Sequence, residues 1–160
     1  MPELSDPKEA LRVLARQLRE GATPISPHVV DSDEEPELGL LAAGGPRAAA
    51  CPGEYALVVE AVREAYLLHY GEPRLLRGHD EDLGLLAGDH LYALGIERLA
   101  ALGDTQALAV LAELIGRCAQ LHAESRAREV PALWRSAALA AGGRDQGDRA
   151  APRVNRLSAS

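Results

Sequence analysis

Two long helical patterns meet across Leu102-Gly103-Asp104-Thr105, and this junction restricts the possible folds more than any other feature of the chain. RLLRGHDEDLG turns the chain, and Asp80 or Asp82 within it can cap the first pattern, which runs through Leu102 before Gly103 stops it. The second starts with Asp104 or Thr105 as its cap. It sets Leu108, Leu111, Leu114, Ile115, Cys118 and Leu121 or His122 in one apolar stripe. Long helices joined by so short a turn have to be antiparallel neighbours, which commits the chain to helix-on-helix packing.

The remaining segments are read around that pair. SDPKEALRVLARQLREG offers Ser5 or Asp6 as a cap and Pro7 at the first helical position, with Leu11, Leu14 and Leu18 on one face and a stop at Gly21. Residues 22–52 combine prolines, glycines and an acidic cluster, so they are expected as a loop-rich arm with at most a short helix at Glu37 to Ala43. EYALVVEAVREAYLLHYGEP places Leu57, Val58, Ala61, Val62, Ala65 and Leu68 at helical spacing, is nearly apolar on two faces, and ends at Gly71 and Pro73. Pro131 opens a last helix, with Leu133, Trp134, Ala137 and Ala138 facing inward. The polar tail 144–160 is expected to be disordered.

The expected organisation is therefore a first helix in 1–21, the arm 22–52, a helical core 53–143 and the tail. The fold class is all-α, an antiparallel helical bundle of about five helices. Composition agrees. The 160 residues are 47% hydrophobic but include no Phe, one Trp and four Tyr, so Leu and Ala, both strong helix formers, have to fill the interior.

A formal net charge of −7 without a dense basic block speaks against nucleic-acid binding. No apolar run reaches the roughly 18 residues of a membrane span, and MPELSDPKEA does not read as a signal peptide, so the expected location is the cytoplasm. Cys51 and Cys118 have no metal-type spacing and are expected to be free thiols.

The residues with chemical potential gather in the middle of the chain. His69, Asp80, Asp82, Asp89 and His90, with His79 and Glu81 between them, supply ligand types for a divalent metal in a metal-dependent or lipid-handling bundle enzyme. Their spacing lacks the paired i, i+3 or i+4 ligands of a bundle metal site. The competing reading makes 79–82 a solvated turn whose acids cap a helix, and His69 a complement to a helix C-terminus. His122 fits a partly buried structural residue, and His28 stands in a loop. No nucleophile elbow, phosphate loop or dinucleotide fingerprint occurs, so no catalytic residue, no metal and no cofactor are assigned.

Gly88 and Asp89 carry a separate expectation. Glycine within an apolar helix suits close approach of a second helix, and an acid embedded among Leu85, Leu86, Leu91 and Tyr92 needs a partner if it is desolvated. The small residues Ala87, Gly88, Ala93 and Gly95 support close packing, within the chain or against another.

LLAGDHLYALGIERLAALGD resembles the stretch of the trans-polyprenyl diphosphate synthases in which a leucine-alanine-glycine-aspartate run begins a helix. CPGEYALVVEAVREAYLLHYGEP is similar to the family helix that carries the first aspartate-rich motif, and PALWRSAALAAGG to a later helix that follows a lysine-threonine pair. The resemblance covers roughly Pro52 to Gly143, about half of a full family member. It implies an isoprenoid-synthase-like helical fold, truncated. Where catalytic members have Asp-Asp-x-x-Asp, this chain has His69, Tyr70, Gly71, Glu72 and Pro73, and where they have lysine and threonine it has Val130 and Pro131.

In kind the chain is similar to the noncatalytic small subunit of heptaprenyl diphosphate synthase. That likeness implies association with a polyprenyl diphosphate synthase catalytic subunit and contact with an isoprenoid lipid in menaquinone side-chain synthesis; apart from the likeness, a ligand-free homodimeric helical scaffold is the alternative reading. The expected contact faces belong to the helices at 54–70 and 84–102, with Tyr66, Leu67, Tyr70, Leu86, Gly88, Asp89 and Tyr92 as interface residues. The apolar helical surface also exceeds what some 90 residues are expected to bury alone.

Overall fold

The computed structural model describes residues 6–144, and all regular structure within them is helical. Six α-helices follow in order: α1 (Ala10–Glu20), α2 (Glu37–Ala43), α3 (Pro52–Tyr70), α4 (Glu81–Leu102), α5 (Thr105–Ala123) and α6 (Val130–Ala141). Short 3-10 turns occupy Pro7–Glu9, Ser26–His28, Pro46–Ala48 and Ala127–Glu129. A single antiparallel bridge, Val29 to Leu76, is the only strand-like pairing among the described residues. The described residues thus form six α-helices rather than about five, because the short segment 37–43 is a helix that packs into the body of the fold. The tail beyond Arg144, and Ser5 as an alternative cap, lie outside the described residues.

Aspartates open three of the helical segments by satisfying amides that have no partner of their own. Asp6 accepts from the Lys8 amide at 3.0 Å, in the 3-10 turn that runs into α1. Asp80 accepts from the Leu83 amide at 2.8 Å and Asp104 from the Ala107 amide at 2.9 Å. Asp80 and Asp104 are therefore the caps, and Asp82 and Thr105 lie inside the first turns of α4 and α5. Gly103 ends α4 in the left-handed region at φ 75°, a conformation that a side chain with a Cβ resists.

α3 is the central element. Tyr55, Ala56, Leu57, Val58, Val59, Glu60, Ala61 and Val62 are all buried, a run of more than two helical turns, so no face of this stretch meets solvent. A helix buried on every side belongs in the middle of a bundle. Its Tyr55, Val58, Val59, Val62 and Tyr66 belong to a core built with Leu111, Leu114, Cys118 and Leu121 of α5 and Val130 and Trp134 of α6. Its Leu57, Ala61 and Ala65 belong to a second core built with Leu11, Leu14 and Leu18 of α1, Leu75 and Leu76 after α3, and Ala87 and Leu91 of α4.

Cross-helix contacts give the directions. His69 lies against Gly88, Val62 against Gly95, and Glu54 pairs with Arg98 at 3.6 Å, so α4 runs antiparallel to α3. Tyr55 bonds Asp104 and Tyr66 bonds His122, so α5 runs parallel to α3 and hence antiparallel to α4. The arm supplies more than connection: Ile25, Val29, Ala42 and Ala48 are buried, and α2 lies on α3 so closely that a Cβ on Gly39 would be 2.8 Å from the Ala56 carbonyl oxygen. Much of the apolar surface of α3 is therefore covered by α1 and α2 from the same chain.

Candidate functional site

The C-terminal end of α3 meets α4 and α5 in a cluster of aromatic and imidazole rings. The Tyr66 hydroxyl lies 2.7 Å from His122 Nε2, and the Tyr70 ring stacks on His122 with centroids 4.1 Å apart. On the other side His69 meets Tyr92 edge-on at 5.4 Å. Burial pushes the Tyr66 and Tyr92 hydroxyls up in pKa, in Tyr92 with a further contribution from Tyr70, so both remain neutral at ordinary pH.

Gly88 brings α3 and α4 into close approach in this cluster. A Cβ there would sit 2.4 Å from Cδ2 and Nε2 of His69, and one on Gly95 would sit 2.7 Å from Val62 Cγ2. The close approach expected at Gly88 is present and is made within the chain. The setting expected for Asp89 is not. Its side chain is 76% exposed, because one residue of helical advance, about 100°, rotates it off the face that Gly88 gives to α3. The side chain facing it is the His69 imidazole, with Nε2 3.6 Å from Oδ1, too long for a hydrogen bond. Asp89 is thus solvated and needs no buried partner. His90 is exposed beside it.

The other candidates are dispersed. Asp80 is committed to capping α4, Asp82 is exposed in its first turn, and His79 packs against Gly84. Among the described residues no three His, Cys, Asp or Glu side chains are grouped to hold a metal ion. Of the residues expected at an interface, Tyr66 and Gly88 are buried, Leu67 and Tyr92 are half-buried, and Tyr70, Leu86 and Asp89 are exposed. Tyr70, Leu85, Leu86 and Leu102 are the large apolar side chains most open to solvent among the described residues. Cys51 and Cys118 are both free thiols.

Sequence reasoning misses a second group. Glu60 and Glu64, 1% and 0% exposed, share Arg74. Arg74 donates through Nη1 to Glu60 Oε1 at 2.7 Å and through Nε to Glu64 Oε1 at 2.9 Å. The second oxygens are used as well: Glu60 Oε2 accepts from the Gly39 amide at 2.8 Å, and Glu64 Oε2 from the amides of Arg74 and Leu75 at 2.7 and 2.8 Å. Desolvation is the largest influence on Arg74 and lowers its pKa, yet the two carboxylates together raise it above the ordinary value. The only hint in the sequence is the pair of acids at i and i+4 in a helix that has no polar face.

This network borders a cavity of about 450 Å³ whose wall includes Glu34, Glu35, Glu37, Glu72 and Arg63. The Arg63 guanidinium lies over the rings of Tyr66 and Trp134, 5.3 and 5.2 Å from their centroids. With both buried carboxylates fully bonded, the group is suited to holding α2, α3 and the segment after α3 together. Nothing in its geometry pairs a nucleophile with a base.

No helix among the described residues is long and apolar enough to cross a membrane. Compared with protein-family models, curated proteins and solved structures, the chain matches none.

Proposed function

We propose that the chain is a noncatalytic, isoprenoid-synthase-like subunit that associates with a polyprenyl diphosphate synthase in the synthesis of quinone side chains of the menaquinone type. The observation that carries the reading is the character of the α3–α4 end. At the positions where the resembling enzymes have their first acidic motif, His69 and Tyr70 belong to a ring cluster and Gly71 ends the helix, while Asp89, in the later leucine-alanine-glycine-aspartate run, is exposed with His69 facing it. Such an end offers a partner an aromatic and apolar surface, through Tyr70 and Leu85, instead of a diphosphate-binding acid cluster.

The test is co-purification of the chain with a polyprenyl diphosphate synthase made in the same cell, followed by prenyl-transfer assays of that synthase with and without it. Binding together with increased synthase activity supports the reading. A chain that stays unbound and leaves the activity unchanged overturns it.

A further inference from the structure

We propose that the outer face of α4 pairs antiparallel with the same face of a second copy of this chain, about a two-fold axis that passes between Ala93 and Leu94. Leu86, His90, Ala93, Leu94, Glu97 and Ala101 recur at helical spacing on one stripe, and all are exposed except Leu94, which is half-buried. The stripe lies away from the glycines of α4 that pack on α3.

A two-fold contact demands that whatever residue a given side chain meets, the reciprocal meeting also occurs. With the axis between Ala93 and Leu94, Leu86 meets Ala101, His90 meets Glu97 and Ala93 meets Leu94. A large side chain faces a small one at two positions, and an imidazole faces a carboxylate at the third, each pair occurring twice. Sliding the helices by one residue destroys this. Glu97 would then face Asp89 in one direction and the position of buried Leu91 in the other. Charge complementarity therefore selects a single register.

From Leu86 to Ala101 the stripe is about 22 Å long at about 1.5 Å per residue. One helix pair of that length buries less than the roughly 1,600 Å² of a standard interface, so the dimer forms and dissociates with concentration. The contact leaves Tyr70 and Leu85 free and requires no synthase, so it stands or falls apart from the subunit reading.

Sedimentation equilibrium of the full chain, from micromolar to millimolar concentration, tests it. The expected result is a monomer–dimer equilibrium weakened at least about tenfold by H90E and by E97K, each of which opposes like charges or removes the acceptor, and regained in the H90E/E97K double variant, where the charges are exchanged. Circular dichroism confirms that each variant keeps its helix content. A monomer at every concentration, a dimer indifferent to both single changes, or a double variant no better than the single ones overturns the proposal.

Discussion

Arg74 reaches Glu60 at 2.7 Å and Glu64 at 2.9 Å, so one guanidinium serves two carboxylates that are otherwise closed off from water. Removing the arginine leaves two acids in the interior without the guanidinium they are bonded to. Arg74→Met is expected to destabilise the fold by about 3–5 kcal/mol, read from urea unfolding. Replacing Glu60, Glu64 and Arg74 together by Leu should also remain destabilising, because the amides of Gly39, Arg74 and Leu75 lose their acceptors. A triple variant as stable as the parent would show that the network contributes no net stability.

Asp104 supports both the α4–α5 turn and the packing around it. Its Oδ1 accepts from the Ala107 amide, and its Oδ2 takes the Tyr55 hydroxyl and lies 3.1 Å from Arg47 Nε. Desolvation, the largest single influence, raises its pKa, but the hydrogen bonds from Ala107 and Tyr55 and the charge of Arg47 together hold it below the ordinary value. An acid depressed on folding contributes stability above its unfolded pKa, about 3.9, and loses it as pH falls through the lower folded value. Unfolding followed from neutral pH into the acid range below about pH 4 should show a stability loss that Asp104→Asn reduces. At neutral pH, Asp104→Ala should cost about 1–2 kcal/mol.

Glycine-to-alanine changes should have opposite effects in two helices. At Gly88 the added methyl collides with His69, and a cost of about 1–3 kcal/mol is expected. At Gly116 of α5 nothing lies within 4 Å of the new atom, and replacing glycine in a helix should add up to about 1 kcal/mol. Thermal unfolding of the two variants gives the signs directly. Adding His69→Ala to Gly88→Ala should recover part of the loss, as expected of residues in contact.

The thiols should differ in accessibility. Burial raises the Cys118 thiol to about 11, and Cys118 is 2% exposed, whereas Cys51 is half-buried. With a thiol reagent at about pH 8, Cys51 should be modified first and Cys118 only at the rate of unfolding. Equal rates for the two in the native protein would contradict the packing around Cys118.

Helix identity is legible in the sequence because caps, stops and apolar periodicity agree along the chain. Asp80, Gly103 and Asp104 each have a local reason for their positions, and local reasons can be read from sequence. Gly88 is legible for a similar cause, since a glycine inside an apolar helix points to close approach. Asp89 misleads because its sequence neighbours are apolar, while burial depends on the angle around the helix. Glu60 and Glu64 stay hidden because their partner, Arg74, lies in a stretch that reads as turn. Pairing between such residues is a property of the fold, which spacing along the chain does not encode.

The central position of α3 also has a consequence for synthesis. As the chain leaves the ribosome, α1 and α2 emerge before the helix against which they pack. Their apolar residues, Leu11, Leu14, Leu18 and Ala42 among them, lack the surface of α3 until residues 52–70 have followed. This stretch of the nascent polypeptide is therefore open to chaperones and proteases while α3 is being made, and a pause in translation before α3 would prolong that exposure.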